Sequence, residues 1–187
     1  MEPVKATLAT SNAHKAFELA KVLPGWEIVT LDADYPEEVG ETFEENALAK
    51  AQFGRTLAPA DHWVLGEDSG IEVAALDGAP GIYAARWAAG DEVGKMLGAM
   101  EGKTDRRARY VAALAAIAPD GSEYVVRGTL DGSIAHEAAG DEGFGYDPVF
   151  VPEGETESSA ALGNAWKAEH SHRTRAARAL LAAIRPS

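Results

Sequence analysis

The chain opens with a short apolar stretch, Val4 to Ala9, that alternates only crudely and runs into three turn-forming residues, Thr10-Ser11-Asn12. This predicts a strand feeding a helix. Ala16, Leu19, Ala20 and Leu23 then fall at i, i+3, i+4 and i+7 on one helical face, and Pro24-Gly25 stops the pattern. Trp26 to Leu31 predicts a second strand, followed by an acidic loop from Asp32 to Glu41. Thr42 and Glu45 have capping-box spacing and open a helix to about Leu57, on which Asn46 and Lys50 share a face. Trp63 to Glu67 and Ile71 to Leu76 predict two strands separated by a polar turn at Asp68-Ser69-Gly70, with a tight loop at Asp77-Gly78-Ala79-Pro80-Gly81 beyond.

A helix is predicted from Asp91 to Met100. The alanines of Arg109 to Ala118 suit a helix, while Tyr110, Val111 and Ile117 suit a strand. Pro119-Asp120-Gly121-Ser122 followed by Tyr124-Val125-Val126 has the form of a hairpin, which makes both arms strands. Glu153 to Gly163 is polar and irregular, and the final helix, about Ser171 to Ile184, carries Leu180, Leu181 and Ile184 as its apolar stripe. There is no internal repeat, low-complexity tract or linker.

Composition narrows the function classes. A length of 187 residues suits one compact domain over 1–187, or one with a smaller lobe. No apolar run approaches the ~18 residues that span a bilayer, and the N-terminal residues lack the basic and apolar regions of a secretory signal, so a cytoplasmic location without membrane attachment is expected. Zero cysteines exclude disulfides, thiolate catalysis and cysteine-ligated metals. A net charge of -13 argues against a nucleic-acid-binding surface, which relies on clustered Lys and Arg. A small polyanion held by local cations and a metal remains compatible with it.

Four stretches carry candidate chemistry. Glu67 and Asp68 are adjacent carboxylates at the mouth of an apolar strand, where burial is costly without a cation, so Asp68 with Glu67 is a candidate Mg²⁺ site. The same residues also suit a simple turn cap. Thr10-Ser11-Asn12 at a helix N-terminus, with Lys15 in its first turn, suits a phosphate and equally an ordinary N-cap with a solvated lysine. Gly143, Gly145 and Gly140 surround Phe144, Tyr146 and Asp147, as in a loop that approaches a ligand while a ring stacks on it. His172 and Arg173 open the last helix against its dipole, which favours an anion there. Arg86, between aromatics, suits either a pairing with an acid or phosphate or a stacked surface position.

Taken together, Thr10-Ser11-Asn12-Ala13-His14-Lys15, Glu38 through Ala47, Glu67-Asp68-Ser69-Gly70, Gly78-Ala79-Pro80-Gly81-Ile82-Tyr83, Gly143-Phe144-Gly145-Tyr146-Asp147-Pro148 and Ser171-His172-Arg173 occur in the order found in one family. The sequence resembles the inosine/xanthosine triphosphate pyrophosphatases from about residue 4 to residue 180. The resemblance implies an α/β fold, two-lobed, with an elongated mixed β-sheet flanked by helices and a central nucleotide cleft, usually as a homodimer. It implies Mg²⁺-dependent hydrolysis of a nucleoside triphosphate between the α and β phosphates. By position, Thr10, Ser11, Asn12, Ala13, His14 and Lys15, with Lys50, would hold the triphosphate. Glu38 and Asp68 would hold the metal, and Asp68 would accept the proton of the attacking water. Ser69 would touch substrate; Phe144, Gly145, Tyr146 and Asp147 would form the base loop; Lys167, His172 and Arg173 would read the base. Glu67 stands where the family commonly has Asp, Ser11 and His14 stand where glycine is frequent, and Pro152 to Trp166 departs from the family pattern. Two alternatives share this phosphate machinery: a pyrophosphatase for other modified triphosphates, and a non-catalytic nucleotide-binding protein.

Overall fold

The computed structural model describes residues 2–184; Met1 and residues 185–187, the ends of the expected domain, lie outside the described residues. Elements follow in the order β1 (Val4–Ala9), α1 (Ala13–Val22), β2 (Trp26–Thr30), α2 (Phe43–Arg55), β3 (Trp63–Val73), β4 (Pro80–Gly81), α3 (Ala84–Ala88), α4 (Glu92–Ala99), β5 (Arg107–Ile117), β6 (Glu123–Ile134), β7 (Phe150–Pro152), α5 (Ser159–His170) and α6 (His172–Ala183). The fold is mixed α/β. Its seven-stranded sheet has the order β2-β1-β3-β5-β6-β7, with β4 paired to β3. β1 runs parallel to β2 and β3, whereas β3–β4 and β6–β7 are antiparallel.

The chain divides into two compact units. Among the described residues, the first comprises 2–68, 112–128 and 173–184; the second comprises 69–111 and 129–172. In the first unit, Leu8, Leu65 and Leu114 from the strands pack with Leu19 and Leu23 of α1 and Ala177 and Leu180 of α6. The helical periodicity of α1 produces this directly, since Leu19 and Leu23 are completely buried while Phe17 is exposed. In the second unit, Ile71, Val73, Met96, Met100, Tyr110, Leu130, Ile134 and Phe150 form a separate core. Each fully buried aliphatic side chain contributes roughly 1.5–3 kcal/mol.

The expected hairpin is present between β5 and β6: the Ala118 N–H donates to the Ser122 carbonyl at 2.9 Å, and Gly121 takes φ +88°, which favours glycine. Three expectations are overturned. No turn separates Glu67 from Ile71; β3 continues unbroken from Trp63 to Val73, and the polar triplet lies within the strand. The second strand ends at Val73, where a 3-10 turn, Ala74–Leu76, begins. Likewise Glu153 to Gly163 is not irregular throughout. The Ser158 hydroxyl caps α5 by accepting from the Ala161 N–H, and Gly163, at φ +86°, breaks the helical geometry that the sequence pattern conceals.

Candidate active site

The first unit gathers the phosphate- and metal-type candidates. At the β1–α1 junction, the Asn12 side chain accepts from the His14 and Lys15 N–H groups at 3.0 and 3.3 Å, and Thr10 Oγ1 accepts from the Asn12 N–H. This is an N-cap, while Ser11, Ala13 and His14 are exposed. Lys15 is not a solvated lysine: its Nζ lies 2.7 Å from Glu67 Oε2, with 14% of the side chain exposed.

A close approach between α2 and β3 builds the rest. A Cβ on Gly66 would lie 2.1 Å from the Ala47 carbonyl oxygen and 2.6 Å from the Ala51 nitrogen, so only glycine lets the helix backbone sit this close. Two residues on, Asp68 points to the same face of the strand, and residues on one face of α2 meet it. Asn46 Nδ2 donates to Asp68 Oδ2 at 3.1 Å, and Lys50 Nζ lies 3.2 Å from Asp68 Oδ1 and 3.2 Å from the Glu67 carbonyl oxygen. Asn46 Oδ1 also accepts from the Gly40 N–H at 2.9 Å, which anchors the acidic loop carrying Glu38. Glu38 Oε1 pairs with the same Lys50 ammonium. A cavity of about 220 Å³ beside this cluster is lined by Tyr35, Glu38, Gly40, Asn46 and Lys50, among others.

Because β3 is continuous, Glu67 faces away from Asp68. Its carboxylate is held by Lys15 and by Arg173, whose Nε donates to Glu67 Oε1 at 3.0 Å and whose Nη1 donates to Glu18 Oε2 at 2.8 Å. The pairing of Glu67 with Asp68 in one metal site therefore fails, since strand alternation separates them and Glu67 already has two cations. The two neighbours titrate in opposite directions. Burial pushes Glu67 up, but Lys15 and Arg173 outweigh it and bring the carboxyl down to about 2. Burial raises Asp68 above the usual aspartate range, and Lys50 and Lys15 oppose this only in part. Lys50, although desolvated, is raised by Asp68 and Glu38 and stays charged.

The second unit gathers the base-loop candidates. Asp147 Oδ2 accepts from Lys167 Nζ at 2.6 Å and from the Phe144 N–H at 2.9 Å, and its Oδ1 accepts from the Tyr110 hydroxyl at 3.2 Å. Both Asp147 and Lys167 are buried. A Cβ on Gly143 would lie 2.2 Å from Asp147 Oδ2, so glycine is required where the loop closes over the pair. Lys167 Nζ sits 5.0 Å from the half-buried Phe144 ring centroid, Gly145 takes φ +64°, and the Tyr146 hydroxyl donates to the Ala84 carbonyl. His172 stacks on Tyr110 with centroids 4.7 Å apart. Ser69 is the first residue of this unit and is partly buried. Arg86 lies over the Tyr83 ring, 5.3 Å from its centroid.

Two residues of these clusters escaped the sequence. Glu18 pairs with a residue 155 positions away, and no local pattern marks that partner. Tyr110 drew notice only as a strand former, although a buried tyrosine generally needs a hydroxyl partner, and that was the available signal. The larger cavity of the second unit, about 590 Å³, is lined by Glu72, Arg107, Arg109 and Asp131 among others and contains none of the candidate residues. Arg109 there is paired with Asp131 at 2.6 Å, so size alone does not identify the reactive site. Among the described residues, no group of three or more His, Cys, Asp or Glu side chains forms a metal cage, and no helix is long and apolar enough to cross a membrane.

Residues 6–183 match the Ham1 family over nearly the whole chain. The chain belongs to the Ham1 family. Among similar proteins of this family, the dITP/XTP pyrophosphatase of Symbiobacterium thermophilum is 46% identical over 188 residues, covering 94% of this chain and 92% of the relative. That of an Exiguobacterium species is 43% identical, covering 98% of both chains. The structure of the Ham1 protein of Staphylococcus aureus has a TM-score of 0.82 at 34% identity, covering 96% of this chain and 97% of that one. The nucleoside-triphosphatase, dITP/XTP pyrophosphatase, of Mycobacterium abscessus has a TM-score of 0.73 at 38% identity, covering 97% and 100%. The Ham1 fold thus accounts for both the mixed sheet and the order of the motifs.

Proposed function

We infer that this chain is a dITP/XTP pyrophosphatase, a hydrolase that cleaves deaminated purine nucleoside triphosphates, ITP included, to the monophosphate and pyrophosphate. The full-length relatives carry that activity in name, and the single observation that supports it most strongly in this chain is the meeting of Asp68, Glu38 and Lys50. Asp68 is the proposed proton acceptor: buried, with a raised affinity for protons, and fixed through one oxygen by Asn46, it suits a base that orients water for in-line attack at the α phosphorus. Lys15, Lys50 and the amide groups at the start of α1, with Thr10, Ser11, Asn12, Ala13 and His14, are the proposed triphosphate holders.

Glu38 and Asp68 are the proposed Mg²⁺ ligands. The donor set fits that ion: two carboxylates already converge on one cation, the Lys50 ammonium, and Mg²⁺ commonly takes only one or two protein carboxylates beside phosphates and water. Bound there, Mg²⁺ would offset phosphate charge and stabilise the departing pyrophosphate. In the second unit, Phe144 supplies the proposed stacking surface and Ser69, Gly145 and Tyr146 further contacts, with Asp147 fixing Lys167 and the loop. A donor such as Lys167 or His172 satisfies the 6-oxo group of hypoxanthine or xanthine but leaves the 6-amino group of adenine mispaired, at a cost of about 1–3 kcal/mol. Arg173, with Nε and Nη1 directed at Glu67 and Glu18, is better suited to holding Glu67 than to reading a base. We also propose a homodimer in the cytoplasm, which size-exclusion chromatography with light scattering and cell fractionation check.

The test is to incubate the purified chain and Mg²⁺ with dITP, XTP, ITP, ATP, GTP and UTP and identify the products. Pyrophosphate formed far faster from the first three supports the assignment. Equal rates across the panel overturn the substrate class, and orthophosphate as the sole phosphate product overturns the reaction.

A further inference from the structure

The two carboxylates proposed as metal ligands share a cation that the chain itself provides. Lys50 Nζ pairs with Glu38 Oε1, lies 3.2 Å from Asp68 Oδ1 and takes a third contact from the Glu67 carbonyl oxygen at 3.2 Å. Its side chain is 18% exposed, so these contacts are sheltered. The contact of α2 with β3 at Gly66 fixes the base of the lysine, and Asn46 fixes both the Asp68 carboxylate and the Gly40 backbone beside Glu38. Three groups, one from the acidic loop and two from adjacent residues of β3, are therefore brought to one ammonium.

We propose that Lys50 is a built-in counter-cation of the metal site, holding Glu38 and Asp68 together in the free protein and opposing a divalent ion that arrives alone. This rests on the assignment of Glu38 and Asp68 as ligands. A divalent ion entering without a nucleotide must displace the ammonium from both carboxylates, or sit beside it against like-charge repulsion. A triphosphate changes the balance. Its oxygens offer Lys50 new partners, and the flexible four-carbon stem lets the ammonium swing to them, leaving the carboxylates to the ion. Metal and nucleotide then bind with positive coupling, and the free protein does not retain an ion that has no substrate to act on.

The test uses the full chain with Mn²⁺ alone, without nucleotide, followed by titration calorimetry and by the free Mn²⁺ spin signal. Lys50→Met should bind Mn²⁺ more tightly than the unaltered protein by about tenfold or more, as expected from removing a unit positive charge within a few ångströms. Lys50→Arg should bind as weakly as the unaltered protein, and Lys50→Met combined with Asp68→Asn should lose the gain. Equal or weaker binding by Lys50→Met overturns the proposal, as does a gain that survives Asp68→Asn. Lys50→Gln gives an independent neutral variant should Lys50→Met not fold. The rise in Tm on adding Mn²⁺ should be larger in either neutral variant than in the unaltered protein, and equal rises overturn the proposal. No nucleotide enters this assay, so its failure is separable from failure of the hydrolytic assignment, which is read from products.

Discussion

Each unit holds a buried aspartate beside a lysine, and the two pairs are built for different ends. Asp147 receives three donors at 2.6, 2.9 and 3.2 Å, and with Lys167 is sealed under the glycine loop. Asp68 meets Asn46 and a lysine at 3.1 and 3.2 Å, and shares that lysine with a second carboxylate. An aspartate on which three donors converge is held in place and holds them in turn. An aspartate whose counter-cation is divided, and whose burial raises its proton affinity, is chemically available. The same residue pair thus holds a loop in one unit and forms the proposed base in the other, and the difference lies in how many donors converge.

Substitution separates the two roles. Asp68→Asn should lower turnover of dITP by between about a hundredfold and ten-thousandfold while leaving the fold and nucleotide binding measurable by calorimetry; an active variant would remove Asp68 from the chemistry. Asp147→Ala should instead cost about 3–5 kcal/mol of stability in denaturant unfolding, because it strands the buried Lys167 charge. The folded fraction of that variant should also show a raised KM for dITP, because Lys167 and the Phe144 loop lose their anchor; an unchanged KM would remove Asp147 from base binding.

A third buried carboxylate sharpens the contrast through pH. Glu67 is about 2 in the folded chain against a usual 4.5, so its contribution to stability is present above about 4.5 and is lost as pH falls from there towards about 2. Unfolding free energies measured across that window should fall for the unaltered protein, and this component should be missing from Glu67→Gln. Smaller still is the expected effect of Gly66→Ala, about 1–3 kcal/mol from overpacking against the Ala47 carbonyl. It should also displace Asn46 and Lys50 from Asp68, lowering turnover beyond what the lost stability accounts for; unchanged kinetics in the folded variant would show that the close approach does not set the site.

Much of this was legible along the chain. The helical spacing of Ala16, Leu19, Ala20 and Leu23 and the Asp120-Gly121 turn report local geometry, so α1 and the β5–β6 hairpin could be read directly. The shared helical face of Asn46 and Lys50 was readable for the same reason, but their spacing alone favoured an exposed pair, and their burial against Asp68 was not readable. Glu67 was not readable. Two adjacent acids followed by Ser-Gly look like a turn, where both carboxylates would share one site, and only the continuous strand sends them to opposite faces. Nor does any local pattern disclose Arg173 with Glu18, or the need for glycine at 66, because each depends on segments distant in sequence that packing brings together.

The most direct test of the chemistry is the fate of the water oxygen. Hydrolysis of dITP by the unaltered chain with Mg²⁺ in ¹⁸O-enriched water should place the label in the phosphate of dIMP and leave pyrophosphate unlabelled, as attack at the α phosphorus requires. Label in pyrophosphate or in released orthophosphate would put the attack elsewhere and contradict the role given to Asp68.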